Sequence, residues 1–222
     1  PTFPTPALLA PPPHMKKFPT TAATDYAALR PELRSGDLLL CSGTGWFSKM
    51  IQGSTRSEWS HVACILRLEA IDRIMVLESL ESVGVRTVPL SKYLHNYDSK
   101  GNRYPGRMCL ARHRDVADCG ETLAQFGHFA VDQLGTPYDN QMIAKIAARI
   151  TMTHLLDANE RAAQIQDWQA AGLERNQEYI CSELVWECYQ RLGLDIPHDP
   201  LGFVAPKDFA ADPKIECLGV LS

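Results

Sequence analysis

The chain has 222 residues, 45% hydrophobic and 22% charged, a balance that sustains a packed core and excludes a disordered chain. Its net charge of −4 offers no basic face, so no nucleic-acid partner is expected. No apolar run approaches the roughly 18 residues of a membrane span, so no transmembrane segment is expected either.

In chain order, the Pro-rich "PTFPTPALLAPPPHM" opens the sequence, and residues 1–14 read as a leader or a cloning remnant ahead of one catalytic domain over 15–222. "MKKFPTTAATDY" has two lysines without an apolar stretch behind them. It is not a Sec signal, so the expectation is synthesis in the cytoplasm with any export by a signal-independent route. "LRSGDLLLCSG" predicts a turn at Ser35-Gly36 and a buried strand over about 37–41, and "GWFSKMIQG" a short helix. "SHVACILRL" and "RIMVLESL", separated by "EAID", read as an antiparallel hairpin. "VRTVPLSKYL" gives a strand and then a helical turn from near Ser91, and "RMCLARHR" a further strand. "DCGETLAQFGHFAVDQLG" has helical spacing up to Gly135, and "TPYD" is a turn. Residues 141–156 and 158–172 predict two helices with Asp157 as the cap between them, a helical insertion at about 141–175. "YICSELVWECYQRLGL" is an amphipathic helix closed by Gly193, and "KIECLGVL" a last strand. The fold class is α+β, a small antiparallel sheet packed with helices.

Seven cysteines, an odd number without paired spacing, do not read as a disulfide framework. Most lie in apolar runs and read as reduced core residues. There is no CxxC and no HExxH, so no metal site is expected. Cys181 is different because it stands in the first turn of its helix, on the face of Leu184, Val185 and Cys188. Free N–H groups and the positive end of the helix dipole favour a thiolate there. A small buried thiol fits the same position, and mid-helix Cys188 reads as core.

A nucleophilic thiol needs a base. His14 falls in the leader, and His95, His113, His128, His154 and His198 lie in or beside polar segments expected to be exposed. His61, in "EWSHVACIL", enters a buried strand. With a four-residue loop from Leu68 to Ile71, antiparallel pairing sets His61 opposite Glu78, on the same face. A carboxylate in the apolar "IMVLES" is costly without a partner, and a histidine opposite would both satisfy it and be oriented by it. A solvated strand end is the plainer reading of Glu78.

"GDLLL", "WSHVACIL", "VLES", "GTPYD" and "YICSELV", in this order, resemble the circularly permuted papain-like hydrolases. These are the permuted branch of the NlpC-type cell-wall amidases, which includes YiiX-like proteins and relatives of lecithin:retinol acyltransferase. The resemblance covers about residues 34–140 and 176–220. It implies Cys181 as nucleophile, His61 as general base and Glu78 as the residue that orients His61, with the Cys181 N–H as an oxyanion donor. Tyr138 and Asp139 match a "PYD" element near the site of relatives, where they serve either substrate binding or a structural turn. The insertion is longer than in compact relatives and reads as a lid, a substrate-selecting wall or padding.

The implied activity is a cysteine amidohydrolase acting through a thioacyl intermediate, with neither metal nor organic cofactor. The expected substrate is a peptide or amide, with cell-wall peptidoglycan the leading candidate. An antibacterial effector delivered to another cell's periplasm, with an unidentified delivery or immunity partner, fits a wall-cutting enzyme without a Sec signal. The alternatives are a lipid-directed thiol acyltransferase or esterase, which the absence of a strongly basic amphipathic helix disfavours, and a non-catalytic binding domain of the same fold.

Overall fold

The computed structural model describes residues 18, 23–118, 122–171, 178–198 and 203–221. The expected leader, residues 1–14, lies outside them. Six strands form one sheet: β1 (Leu38–Gly43), β2 (His61–Leu68), β3 (Arg73–Leu80), β4 (Gly84–Pro89), β5 (Gly106–His113) and β6 (Ile215–Leu221). Their order is β4-β3-β2-β1-β5-β6, and every pairing is antiparallel. The helices are α1 (Tyr26–Leu29), α2 (Trp46–Thr55), α3 (Leu90–His95), α4 (Thr122–Asp132), α5 (Asn140–Leu155), α6 (Ala158–Ala171), α7 (Cys181–Arg191) and α8 (Pro206–Ala211). This is the expected α+β class. The short α1 and α8 carry no apolar periodicity long enough to announce them.

Strand β1 is central, paired to both β2 and β5, and this explains its unbroken apolar run "LLLC". Successive side chains point to opposite faces, and both faces are covered. Leu38 and Leu40 pack with Val62, Cys64, Leu77, Cys109 and Ala111 under α4 and α7, where Phe126, Leu184, Val185 and Cys188 are fully buried. Leu39 and Cys41 face the other way, among Ala63, Ile65, Val76, Met108 and Leu110, covered by Leu33, Leu90, Tyr93 and Tyr104. Cutting Leu184 to Ala would cost about 2–5 kcal/mol, because its neighbours on the sheet cannot follow it inward. Helix α7 ends as expected at Gly193, whose φ of 73° lets the Leu194 N–H reach back to the Tyr189 carbonyl at 3.0 Å.

The β2–β3 hairpin differs from its expected register. Leu68 pairs with Arg73, so the loop is Glu69–Asp72 and not Leu68–Ile71. A 3₁₀ turn over Glu69–Ile71 and a left-handed Asp72, φ 46°, make the reversal one residue later than expected. The pairing slides by two positions, and His61 moves from directly opposite Glu78 to diagonal from it. A slip of two keeps every side chain on its face, whereas a slip of one would have separated the pair.

His113, expected in an exposed segment, is instead 1% exposed. It ends an internal strand on the face of Cys109 and Ala111, edge-on to Tyr189. His95, His128 and His198 are exposed, as expected. The insertion forms two helices, with Asp157 Oδ1 capping the Glu160 N–H at 3.0 Å. Of its apolar positions, Ile143, Ile146, Leu156 and Ile165 are half-buried and Leu155 is 75% exposed; Ile143 and Ile146, near the start of α5, pack against buried residues of the body. The side chains of Ile150 and Trp168 lie outside the description.

Candidate active site

Cys181 is the first residue of α7, and three tethers fix it. Ser182 donates its hydroxyl to the Val204 carbonyl at 2.7 Å. Ser79, on β3, donates to the Tyr179 carbonyl at 2.7 Å. The Tyr179 N–H reaches the Pro137 carbonyl at 3.2 Å, which joins the approach to α7 with the "TPYD" turn. That turn is itself docked on β4, because the Val85 N–H donates to Thr136 O at 2.8 Å. Gly84 makes this approach possible: its φ is +70°, and a Cβ there would stand 2.2 Å from the Thr136 oxygen. At the first helical position the Cys181 N–H has no intrahelical acceptor.

His61 opens β2, so its ring sits at the end of the strand where the sheet meets α7. Its Nε2 lies 2.9 Å from Glu78 Oε2. Burial disfavours the imidazolium, but hydrogen bonds and charge from Cys181 and Glu78 outweigh it and push the His61 pKa up to about 10. With Nε2 committed to Glu78, Nδ1 is the ring nitrogen left for the thiol.

Glu78 is fully buried and saturated with donors. Oε2 also accepts from the Tyr93 hydroxyl, and Oε1 accepts from Arg86 Nε at 2.9 Å. Burial raises a carboxyl pKa, yet the hydrogen bond and charge of His61, the charge of Arg86 and the Tyr93 hydroxyl hold Glu78 below its usual range. Arg86 and Tyr93 escape the sequence reading. Arg86 was within reach of it, since β4 pairs Glu78 directly with Arg86. Tyr93, on α3, stacks on Tyr104 at 5.4 Å, a contact between elements that no local pattern signals.

Two cavities meet at Cys181, with Tyr138 and Ile51 in their shared wall. One is a polar cleft of about 190 Å³ holding His61, Ser60, Ser79, Glu81 and Tyr104. The other is an apolar slot of about 40 Å³ formed by Ile143, Ile146, Ile180, Phe203 and Val204. Tyr138 is 6% exposed and edge-on to Phe47. Asp139 lines neither cavity; its Oδ1 accepts from the Met142 N–H at 2.6 Å and caps α5. Of the residues singled out from sequence, Cys181, His61, Glu78 and Tyr138 therefore gather here, and Asp139 supports them from behind. A thiol beside an imidazole whose far nitrogen is held by a carboxylate is the arrangement that nucleophilic thiol chemistry requires. No group of three or more His, Cys, Asp or Glu side chains suited to a metal ion occurs among the described residues.

The crystal structure of YiiX from Escherichia coli O157:H7, described as a metalloprotein, has the same fold. It matches with a TM-score of 0.55 at 18% identity, over 84% of this chain and 96% of that one. No curated protein matches the sequence. Residues 32–149, which contain His61 and Glu78 and end before Cys181, match the family described as permuted papain-like amidase enzymes, YaeF/YiiX, C92. By that match over more than half of its length, the chain belongs to the permuted papain-like amidases of the C92 family.

Proposed function

We propose that the protein is a cysteine amidohydrolase in which Cys181 is the nucleophile, His61 the acid–base and Glu78 the residue that orients it, with residues 15–222 acting as one catalytic unit. The observation that carries this reading is the 2.9 Å contact of His61 Nε2 with fully buried Glu78, on an imidazole that also hydrogen-bonds Cys181. His61 Nδ1 takes the thiol proton. The thiolate attacks the amide carbonyl, and the carbonyl electrons move to oxygen, where the Cys181 N–H stabilises them. His61 gives its proton to the leaving nitrogen as the C–N bond breaks, leaving a thioester on Cys181. The neutral imidazole then takes a proton from water, the hydroxide adds to the thioester, and collapse releases the acid and restores the thiolate–imidazolium pair. We assign substrate binding to Tyr138, in the wall shared by the two cavities, and a supporting role to Asp139, which caps α5.

The substrate we favour is a peptide amide of bacterial peptidoglycan, as for NlpC-type amidases, and the physiological setting an effector delivered to a target cell's wall. The polar cleft suits a peptide. The apolar slot beside the same thiol supports a second reading, closer to the lecithin:retinol acyltransferase relatives, in which an acyl chain occupies the slot and an alcohol or amine replaces water.

The test is incubation of the protein, and of Cys181→Ala, with purified sacculi and with fatty-acyl esters and amides in vesicles. Muropeptide release by the wild type alone is expected. Acyl release from vesicles with intact sacculi moves the assignment to the second reading. Equal turnover by Cys181→Ala overturns thiol catalysis altogether.

A further inference from the structure

Cys109 on β5 and Cys217 on β6 have their sulfurs 3.3 Å apart. The strands do not pair them directly: Cys109 faces Val220 and Cys217 faces Ala111, across a bulge between Leu110 and Ala111. The two thiols meet diagonally because of that irregularity. Cys109 is fully buried, while Cys217 is half-buried and reaches solvent. Both lie at the β5–β6 end of the sheet, with β1 between them and the strands of His61 and Glu78, so they are no part of the Cys181 site.

We propose that Cys109 and Cys217 are a modification site, a dithiol that reacts with a small-molecule disulfide such as oxidised glutathione and closes to an intrachain disulfide. The Cys217 thiolate attacks one sulfur of glutathione disulfide, forming a mixed disulfide and expelling one glutathione thiolate. Cys109, on the buried side, then attacks the Cys217 sulfur and expels the second. Two protein thiols are oxidised, one glutathione disulfide is reduced to two thiols, and the two protein protons end on glutathione. The order of attack follows from the environment. The hydrogen bond from Cys109 pushes the Cys217 pKa down to about 7, against the opposing effect of burial, while Cys109 is raised. Closure from 3.3 Å to the roughly 2.0 Å of an S–S bond is within the reach of side-chain rotation. The bond would tie β6 to β5 and enclose α4 through α8, Cys181 included, in one covalent loop. Such a site suits a chain made in a reducing compartment that acts in an oxidising one.

The experiment is incubation of the folded protein with oxidised glutathione at pH 8, followed by tryptic digestion without reductant and mass spectrometry. The dominant species expected is the peptide of residues 108–112 joined to that of residues 215–222, absent from Cys217→Ser and from Cys109→Ala. If Cys181 is fully modified while Cys217 ends free, or as its stable glutathione adduct with Cys109 unlinked, the proposal is overturned.

Discussion

Replacing Glu78 by Gln keeps the shape of the side chain and removes its charge. Glu78 is fully buried and accepts three hydrogen bonds, from His61, Tyr93 and Arg86. A carboxamide has one oxygen and one NH₂. If the oxygen stays with His61 and Tyr93, the NH₂ meets Arg86 Nε, donor against donor, at what was a 2.9 Å contact. Stripping one partner from a buried pair costs about 3–5 kcal/mol, and the Arg86 side chain, 27% exposed, recovers part of this from water. A net loss of about 2–3 kcal/mol is expected, which lowers the melting temperature by roughly 5–10 °C for a chain of this size. The neutral amide also supports the imidazolium less well, so turnover should fall about 10²–10⁴-fold. Circular dichroism melts and the pH profile of Cys181 alkylation by iodoacetamide measure both. Adding Arg86→Gln removes the orphaned cation and should return about 1–3 kcal/mol of stability while leaving the alkylation profile displaced. If Glu78→Gln keeps the wild-type melt and the wild-type pH profile, the carboxylate neither anchors Arg86 nor holds His61, and the account of the site fails.

Stability should depend on pH through the same pair. His61 is raised to about 10, so its contribution is complete below the unfolded value of about 6.5 and is lost as pH rises through about 10. Glu78 is lowered, so its contribution holds above the unfolded value of about 4.3 and is lost as pH falls through the folded one. Urea midpoints should therefore decline from near neutrality towards pH 10, and less steeply in Cys181→Ser, which removes one of the groups that raise His61; equal slopes would show that the thiol does not act on the ring. For the insertion, Ile146→Trp fills the apolar slot, so turnover of substrates with a bulky apolar acyl group should drop about 10-fold or more while iodoacetamide still reaches Cys181 at the wild-type rate. An unchanged substrate preference would make the start of α5 structural padding.

Much of this site was legible because its parts are written locally. The run "DLLLC" shows a strand covered on both faces, and "YICSELV" shows a thiol at a helix start, each within one element. Glu78 is legible for a subtler reason: a carboxylate inside "IMVLES" has to find a partner, and the parity of strand pairing decides which face can supply it. Parity survives a two-residue error in loop placement, so the His61–Glu78 pair was recoverable although the register was not. What stayed hidden depends on contacts between elements distant in sequence. Tyr93 comes to Glu78 from a helix on the second face of the sheet, and Cys109 meets Cys217 across 108 positions and a bulge that no spacing rule encodes.

The same distinction explains the misplaced His113. Its polar flanks, Arg112 and Arg114, suggest a surface. Arg112, however, is turned to buried Asp37 in two bonds of 2.6 and 2.8 Å, which satisfies a charge that would otherwise be stranded at the start of β1. With Arg112 directed to that face, strand alternation sends His113 to the other, under α7 and against Tyr189. Its burial is thus fixed by a carboxylate 76 residues away in sequence. Polarity of neighbours predicts exposure only where those neighbours have water as their partner, and in an internal strand such as β5 the partner can equally be another strand's buried charge.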